Sequence, residues 1–345
     1  RPQGHVTMWQ AVVEGERRAA LKQVPDPQPK DNWVVVKVHA APMCTEYKLW
    51  QSGRPTEYLG HEAAGVVVAV AQPGRVQVGD RVVVMPLYAC GQCALCVAGD
   101  YIHCQSGADP QSFLGTRVGT ATYAQYLVKP DWLLPKIPDG VSYELASLAC
   151  CGLGPSCGAF DLMGVDALDT VLITGAGPVG LGAVVNAKYR GARAIVVESL
   201  PYRVDYARRL GAGAVLDPRD SGSLGAIRDL TGGRGVDKAL DCSGTVAAQR
   251  LCIEATRRKG QVTFVGECND PLSIRISPDM IRTGLTLRGS WHYNLSLYPE
   301  IMQVIQRSPV VAQLISHVLP MSRVQEAFEL SASQQNAKII LHPWE

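Results

Sequence analysis

The sequence predicts an α/β chain of two domains, a β-rich, barrel-like lobe followed by a doubly wound parallel sheet. Three observations predict it. The 345 residues are too many for one ordinary core. Residues 8–140 carry short β-branched runs separated by Gly, Pro, Asn and Asp. After about residue 150, apolar strands alternate with helical stretches, as a parallel sheet requires.

In the first lobe, NWVVVKVHAAP (32–42), AAGVVVAVAQPG (63–74) and GDRVVVMPLYA (79–89) read as strands bounded by turn residues. The character changes with DTVLITGAGPVGLGAVVNAKYRGARAIVVES (169–199), which reads strand, glycine-rich turn, helix, strand. A helix at 202–210, the strand-like GAGAVLD (211–217), KALDCSG (238–244), a helix near 245–258 and GQVTFVGE (260–267) continue the alternation. The C-terminal VQEAFELSASQQNAKIILHP reads helix, loop, strand and is expected to fold back onto the first lobe. The expected division is 8–153 with 295–345 as one domain, bearing a small loop lobe at about 88–106, and 154–294 as the other. The seven residues before Met8 are assigned no function.

Composition excludes several classes. Hydrophobic residues at 47% and charged residues at 19% describe a globular chain and not a disordered one. With 33 basic and 31 acidic residues the net charge is +2, which leaves no electrostatic footprint for nucleic acid or an anionic membrane. The apolar stretch LASLACCGLGPSCGAFDLMG (145–164) is broken by Pro155 and Asp161 and does not read as a membrane span. RPQGHVTMWQAVV at the start has no apolar signal core. The eleven cysteines are odd in number and four lie within fifteen residues, a pattern that points to metal and not to disulfides. A cytoplasmic, reducing location is therefore expected.

TGAGPVGLG supplies Gly175, Gly177 and Gly180 as G-x-G-x-x-G, with Pro178 and Val179 between the last two. It follows the apolar strand TVLI and opens a helix, the context a dinucleotide site needs. Gly175 permits the tight turn, Gly177 lets a pyrophosphate approach the backbone, and Gly180 lets helix and strand pack closely. Glu198 ends the next strand, where a carboxylate accepts ribose hydroxyls and repels a 2′-phosphate, so NAD is expected over NADP. Arg203 nearby is a group that serves 2′-phosphates and argues the other way.

CGQCALCVAGDYIHC places Cys90, Cys93, Cys96 and Cys104 as C-x2-C-x2-C-x7-C, which fits a closed four-cysteine zinc site of structural type. An iron–sulfur cluster is the competing reading, and His103 is not needed as a ligand. A second pattern is dispersed: Cys44 in APMCTEYKLW, His61–Glu62 in YLGHEAAGVV and Cys151 in ACCGLGPSCG. Separately each is weak, because a lone cysteine is usually core.

Taken in chain order with VGDRV (78–82), the four-cysteine loop, CGLGPSCGA (151–159) and TGAGPVGLG, these segments resemble the zinc-dependent alcohol dehydrogenases of the medium-chain dehydrogenase/reductase family over nearly the whole chain. The resemblance implies a GroES-like catalytic domain and a Rossmann NAD-binding domain. It implies two zinc ions, one catalytic on Cys44, His61 and Cys151, the other on the four-cysteine loop. Cys150 is the alternative third ligand; Cys151 is preferred because it precedes Gly152. Glu62 would stand beside the metal, either without binding it or as a transient ligand, and Lys338 near the cofactor pyrophosphate. The metal would bind a substrate oxygen and lower its pKa, with hydride passing to nicotinamide.

One departure stands out. Where the family usually has a hydroxyl two residues after the first ligand cysteine and a histidine five after, this chain has Glu46 and Leu49; Thr45 carries the hydroxyl one residue early. Glu46 is read as a general base, as a group that recognises a substrate hydroxyl or amine, or as a structural carboxylate paired with Lys48 or Arg54. Glu46, Tyr47 and His292 suggest a polar small molecule such as a polyol, sugar or cyclitol, while Trp50 and Trp291 suit an apolar pocket. The rivals are a zinc-free NADPH-dependent quinone or enoyl reductase and a non-catalytic dinucleotide-binding relative. The family pairs sheets of its cofactor domains, so a homodimer or homotetramer is expected.

Overall fold

A computed structural model of the chain describes residues 6–345; residues 1–5 of the leading stretch lie outside the described residues. β1 (Thr7–Gly15) and β2 (Arg18–Pro25) form an antiparallel hairpin with a bulge between Val13 and Gly15. β3 (Trp33–Pro42), β4 (Ala63–Ala69) and β5 (Arg81–Val84) pair antiparallel in sequence order, and β6 (Tyr126–Pro130) joins the other side of β3. β3 is buried along most of its length, which is why it is rich in Val and Ala, broken only by the partly buried Lys37 and His39 between its Trp33 and Pro42 ends.

β7 (Thr170–Thr174), β8 (Arg193–Val197), β9 (Ala214–Leu216), β10 (Val236–Asp241), β11 (Thr256–Phe264) and β12 (Thr286–Gly289) make a six-stranded parallel sheet. Its order is β12-β11-β10-β7-β8-β9. From β7 the chain first winds toward β9 and then restarts at β10 on the opposite side. Such a reversal opens a crevice beyond the carboxyl ends of the strands, where doubly wound sheets bind ligands.

β13 (Ile315–Pro320) and β14 (Lys338–His342) pair parallel, and β14 adds antiparallel to β3. The return follows from apolar matching: Met321, Val324, Phe328, Ile339 and Leu341 enter the same core as Val36, Val38, Trp50 and Val82. Two units result. One comprises the chain through Cys150 with Asn294–Gln306 and Ile315–Glu345; the other comprises Cys151–Tyr293 and Arg307–Leu314. The segment 307–314, expected with the first lobe, groups with the second because Tyr206 donates to the Gln313 carbonyl at 2.7 Å. Among the described residues no helix is long and apolar enough to cross a membrane.

Candidate active site

The first unit brings dispersed residues together by fixing two short links. β3 ends at Pro42, and the Met43 amide donates to the Ile339 carbonyl of β14 at 2.8 Å. The helix Tyr47–Ser52 starts just after Glu46, and its Trp50, 2% exposed, stacks parallel to Phe328 at 5.9 Å. Cys44–Glu46 is thus anchored on both sides. The second link is His61–Glu62. Gly60 has φ +90°, and a Cβ there would meet Thr122 Oγ1 at 2.1 Å and the Tyr123 ring at 2.6 Å. Only glycine lets this segment run against Tyr123.

One sulfur each from Cys44 and Cys151, a ring nitrogen of His61 and a carboxylate oxygen of Glu62 all lie within 4.8 Å of one another. Two thiols, an imidazole and a carboxylate are the ordinary zinc donors. Cys151 follows the residue at which the first unit ends. Cys150 is not in the group: its Sγ lies 3.5 Å from the Val84 carbonyl, and burial pushes its thiol pKa up. The geometry therefore chooses between the adjacent cysteines.

Glu46 is only 6% exposed. Its Oε2 accepts from the Cys44 amide at 2.7 Å and from the Tyr123 hydroxyl at 3.0 Å, while Oε1 lies 2.9 Å from His61 Nδ1. Neither Lys48 nor Arg54 pairs with it among the described residues. A carboxylate on Nδ1 leaves Nε2 as the nitrogen available to a metal, the arrangement typical of histidine ligands. Burial raises the Glu46 carboxyl, but the His61 contact and backbone amides outweigh it and hold it down at about 2. Tyr123, which donates to Glu46, had no sequence signal; it sits in the ordinary mixed stretch TATYAQY.

The electrostatics describe a place for a cation. Burial lowers the His61 pKa, yet Cys44, Glu46 and Glu62 lift it to about 11. Burial raises Glu62, which reaches about 7 even though Lys338 pulls it down. An imidazole ringed by anionic groups holds a proton where a divalent ion would serve better, and a metal would displace that proton. Lys338 is 0% exposed, and its Nζ lies 2.9 Å from Glu62 Oε2. This corrects the expectation of Lys338 at a pyrophosphate, since a fully buried ammonium committed to a carboxylate is not open to a dinucleotide. Thr45 is exposed. In the second unit, His292 is 4% exposed and stacked on Tyr293, and Trp291 is exposed.

The four-cysteine loop closes locally. Cys90, Cys93, Cys96 and Cys104 also bring their sulfurs within 4.8 Å of one another. Cys90 and Cys96 sulfurs are 3.9 Å apart, and those of Cys93 and Cys104 are 4.0 Å apart. That is twice a disulfide length and close to the edge of a tetrahedron around an ion with metal–sulfur bonds of about 2.3 Å. Amides of Gln92 and Cys93 point at Cys90 Sγ and lower its pKa, and the Cys96 amide points at Cys93 Sγ. His103 closes a turn beside the loop and is outside the sulfur group.

In the second unit the glycines of the motif separate by cause. Gly175 has φ +86°, and a Cβ on Gly180 would sit 1.8 Å from the Gly175 carbonyl oxygen. Gly177 is different: a Cβ there would meet nothing nearer than Arg203 Nη1 at 3.8 Å. No neighbouring side chain crowds position 177, so its face has room for a ligand. It caps the helix Pro178–Tyr189, whose N-terminus suits phosphate. Glu198 Oε2 accepts from the Ala176 amide at 2.8 Å, and Oε1 accepts from Ser199 and Leu200 amides at 2.9 and 3.1 Å. Three of about four acceptor sites are used, leaving capacity for a hydroxyl.

Fold and donor sets together define a zinc-binding oxidoreductase with a dinucleotide domain. Residues 30–139 match the alcohol dehydrogenase GroES-like domain and residues 178–307 the zinc-binding dehydrogenase family. The chain is 32% identical to an L-threonine 3-dehydrogenase of Symbiobacterium thermophilum over 96% of each chain. It is 30% identical to a sorbitol dehydrogenase of Bacillus subtilis over 97% of each. A solved alcohol dehydrogenase from Thermus sp. ATN1 superposes with a TM-score of 0.87 at 27% identity, covering 97% of this chain and 99% of that one. The chain belongs to the zinc-dependent alcohol dehydrogenases of the medium-chain dehydrogenase/reductase family. Membership implies zinc and a nucleotide cofactor acting on a small molecule.

Proposed function

We propose that the chain is an NAD-dependent dehydrogenase of a small polar alcohol, of the polyol, sugar or cyclitol class. The observation that carries the reading is the convergence of Cys44, His61 and Cys151 with Glu62 in one donor group, separate from the closed four-cysteine group. Cys44, His61 and Cys151 hold a catalytic zinc, and Cys90, Cys93, Cys96 and Cys104 a structural one, two ions per chain. When bound, zinc supplies Lewis acidity toward the substrate oxygen and nicotinamide accepts the hydride.

This chain's residues do the rest. Glu46 holds His61 with Nε2 toward the metal, and the Tyr123 hydroxyl holds Glu46. Thr45, exposed beside Cys44, is proposed as the hydroxyl that passes the substrate proton outward. The amides at the start of Pro178–Tyr189 bind the pyrophosphate, with Arg203 near Gly177 countering its charge. Arg203 so placed serves the pyrophosphate and not a 2′-phosphate, which leaves Glu198 to take a ribose hydroxyl and supports NAD. The substrate class draws support from relatives named for threonine and sorbitol, each with a polar group on the carbon beside a secondary alcohol. A second copy is proposed to pair at β12, one of the two edge strands of the parallel sheet, which the exposed Ile276 and Ile281 shortly precede in the chain.

The test is a panel of simple alcohols, polyols, sugars and cyclitols with NAD and NADP, following cofactor reduction, alongside zinc quantification. Reduction of NAD by polyols and two zinc ions per chain are expected. Zinc-free protein reducing quinones with NADPH would overturn the reading, and so would zinc-loaded protein inert toward the whole panel.

A further inference from the structure

Glu62 and Lys338 are both 0% exposed, and they form an ion pair at 2.9 Å inside the first unit. Burying two charges gains little stability over an apolar pair of the same size, because desolvation offsets most of the attraction. The position of the pair points to a purpose. Glu62 Oε2, the oxygen that Lys338 Nζ contacts, is also the oxygen 3.9 Å from His61 Nε2. That is the nitrogen left for metal once Nδ1 faces Glu46. The ammonium therefore sits on the very atom of Glu62 that is closest to becoming a further ligand.

Carboxylate oxygen is an ordinary zinc ligand, and a fourth protein donor converts an open site into a closed one. We propose that Lys338 is a positioning residue that holds Glu62 Oε2 back from the metal, so that the fourth place of the Cys44–His61–Cys151 site stays open to substrate. The backbone makes the restraint stiff. Lys338 begins β14, which pairs antiparallel with the end of β3, and the next residue, Ile339, accepts the Met43 amide beside Cys44. The lysine is thereby fixed to the strand end that carries the first ligand. This inference rests on the assignment of those three residues as zinc ligands.

The experiment replaces zinc at the Cys44 site with cobalt(II), leaving zinc in the four-cysteine loop, and compares wild type with Lys338→Met and Lys338→Arg. Three readouts are taken: the ligand-field spectrum, azide binding to the cobalt, and the rate of metal removal by a chelator. In Lys338→Met the released carboxylate enters the sphere. The spectrum shifts, azide affinity falls about tenfold or more, and chelator removal slows by a similar factor. Lys338→Arg, which retains a cation, keeps the wild-type spectrum. A folded Lys338→Met with unchanged spectrum, azide affinity and removal rate overturns the proposal. Should Lys338→Met not fold, the double variant Lys338→Met, Glu62→Gln, which buries no unpaired charge, decides. It has no carboxylate to release and must match wild type, and a shifted spectrum in it overturns the proposal. Wild type that takes up no cobalt at this site would instead refute the ligand assignment.

Discussion

The two donor groups are built in opposite ways. Cys90, Cys93, Cys96 and Cys104 come from fifteen consecutive residues and are stabilised by amides of the same loop. Cys44, His61 and Cys151 come from three distant segments. Cys44 and His61 are held where β14 pairs with β3, Trp50 packs on Phe328 and Gly60 passes Tyr123. A local group reports on its own loop, whereas a dispersed group reports on the whole lobe. The dispersed group also mixes sulfur, nitrogen and oxygen donors and has charged neighbours, as a site that does chemistry requires.

The largest expected effect separates the two groups outright. His61→Ala or Cys151→Ser should lower kcat/KM at least about a thousandfold, the several kcal/mol a Lewis acid contributes, with loss of one zinc per chain. Cys150→Ser should keep both ions. If Cys150→Ser loses metal while Cys151→Ser retains it, the choice between the adjacent cysteines is reversed. Cys93→Ser should lose the other ion, lower the thermal midpoint by about 5 °C or more and leave Cys44-site cobalt spectra unchanged. A changed Cys44-site spectrum would show that the groups are not independent.

Smaller effects come from the groups that orient ligands. Glu46→Gln should lower zinc affinity or turnover by about 10- to 100-fold, measured by chelator competition and by kcat. Tyr123→Phe removes one of three contacts to that carboxylate and should cost about 1 kcal/mol, a several-fold change in the same competition. An unaltered Glu46→Gln enzyme would return Glu46 to a purely structural role.

How much was legible follows the same divide. The four-cysteine loop and G-x-G-x-x-G could be read from spacing because their geometry is set within one segment. β3, β4, β7 and β8 were plain because buried strands concentrate Val and Ile. The partner of Glu46 was not legible, since nothing in TATYAQY marks Tyr123 as facing a carboxylate some eighty residues away. Lys338 was misread for a related reason: an isolated lysine in NAKIIL looks like a surface cation until β14 is seen to be an inner strand. Glu198 was legible in position, but its amide partners were not, because they depend on the turn that follows the strand.

The two buried lysines of the first lobe sharpen the comparison furthest. Lys338, beside the dispersed group, faces a carboxylate. Lys129 is 4% exposed and stands behind the residues that lead into the four-cysteine loop, where it donates to the Leu87 carbonyl at 2.6 Å and lies 4.0 Å from the Tyr88 ring centre. No carboxylate pairs with it among the described residues, and burial pushes its pKa down to about 7, against a weaker upward pull from Cys150. The sign follows from proton counting. Between about pH 7 and the ordinary lysine value of about 10.4, the unfolded chain holds a proton that the folded chain has released, so stability rises with pH across that window. Below it both states are protonated, and the penalty of burying the cation is felt in full. Lys129→Met should therefore stabilise the protein by about 1–3 kcal/mol near pH 6, with the gain shrinking steadily toward about pH 10. Denaturant midpoints of the two proteins across that range check it. A gain that stayed constant with pH would mean Lys129 is not titrating there, and a loss at low pH would mean that the ring and carbonyl hold the cation as well as a carboxylate does.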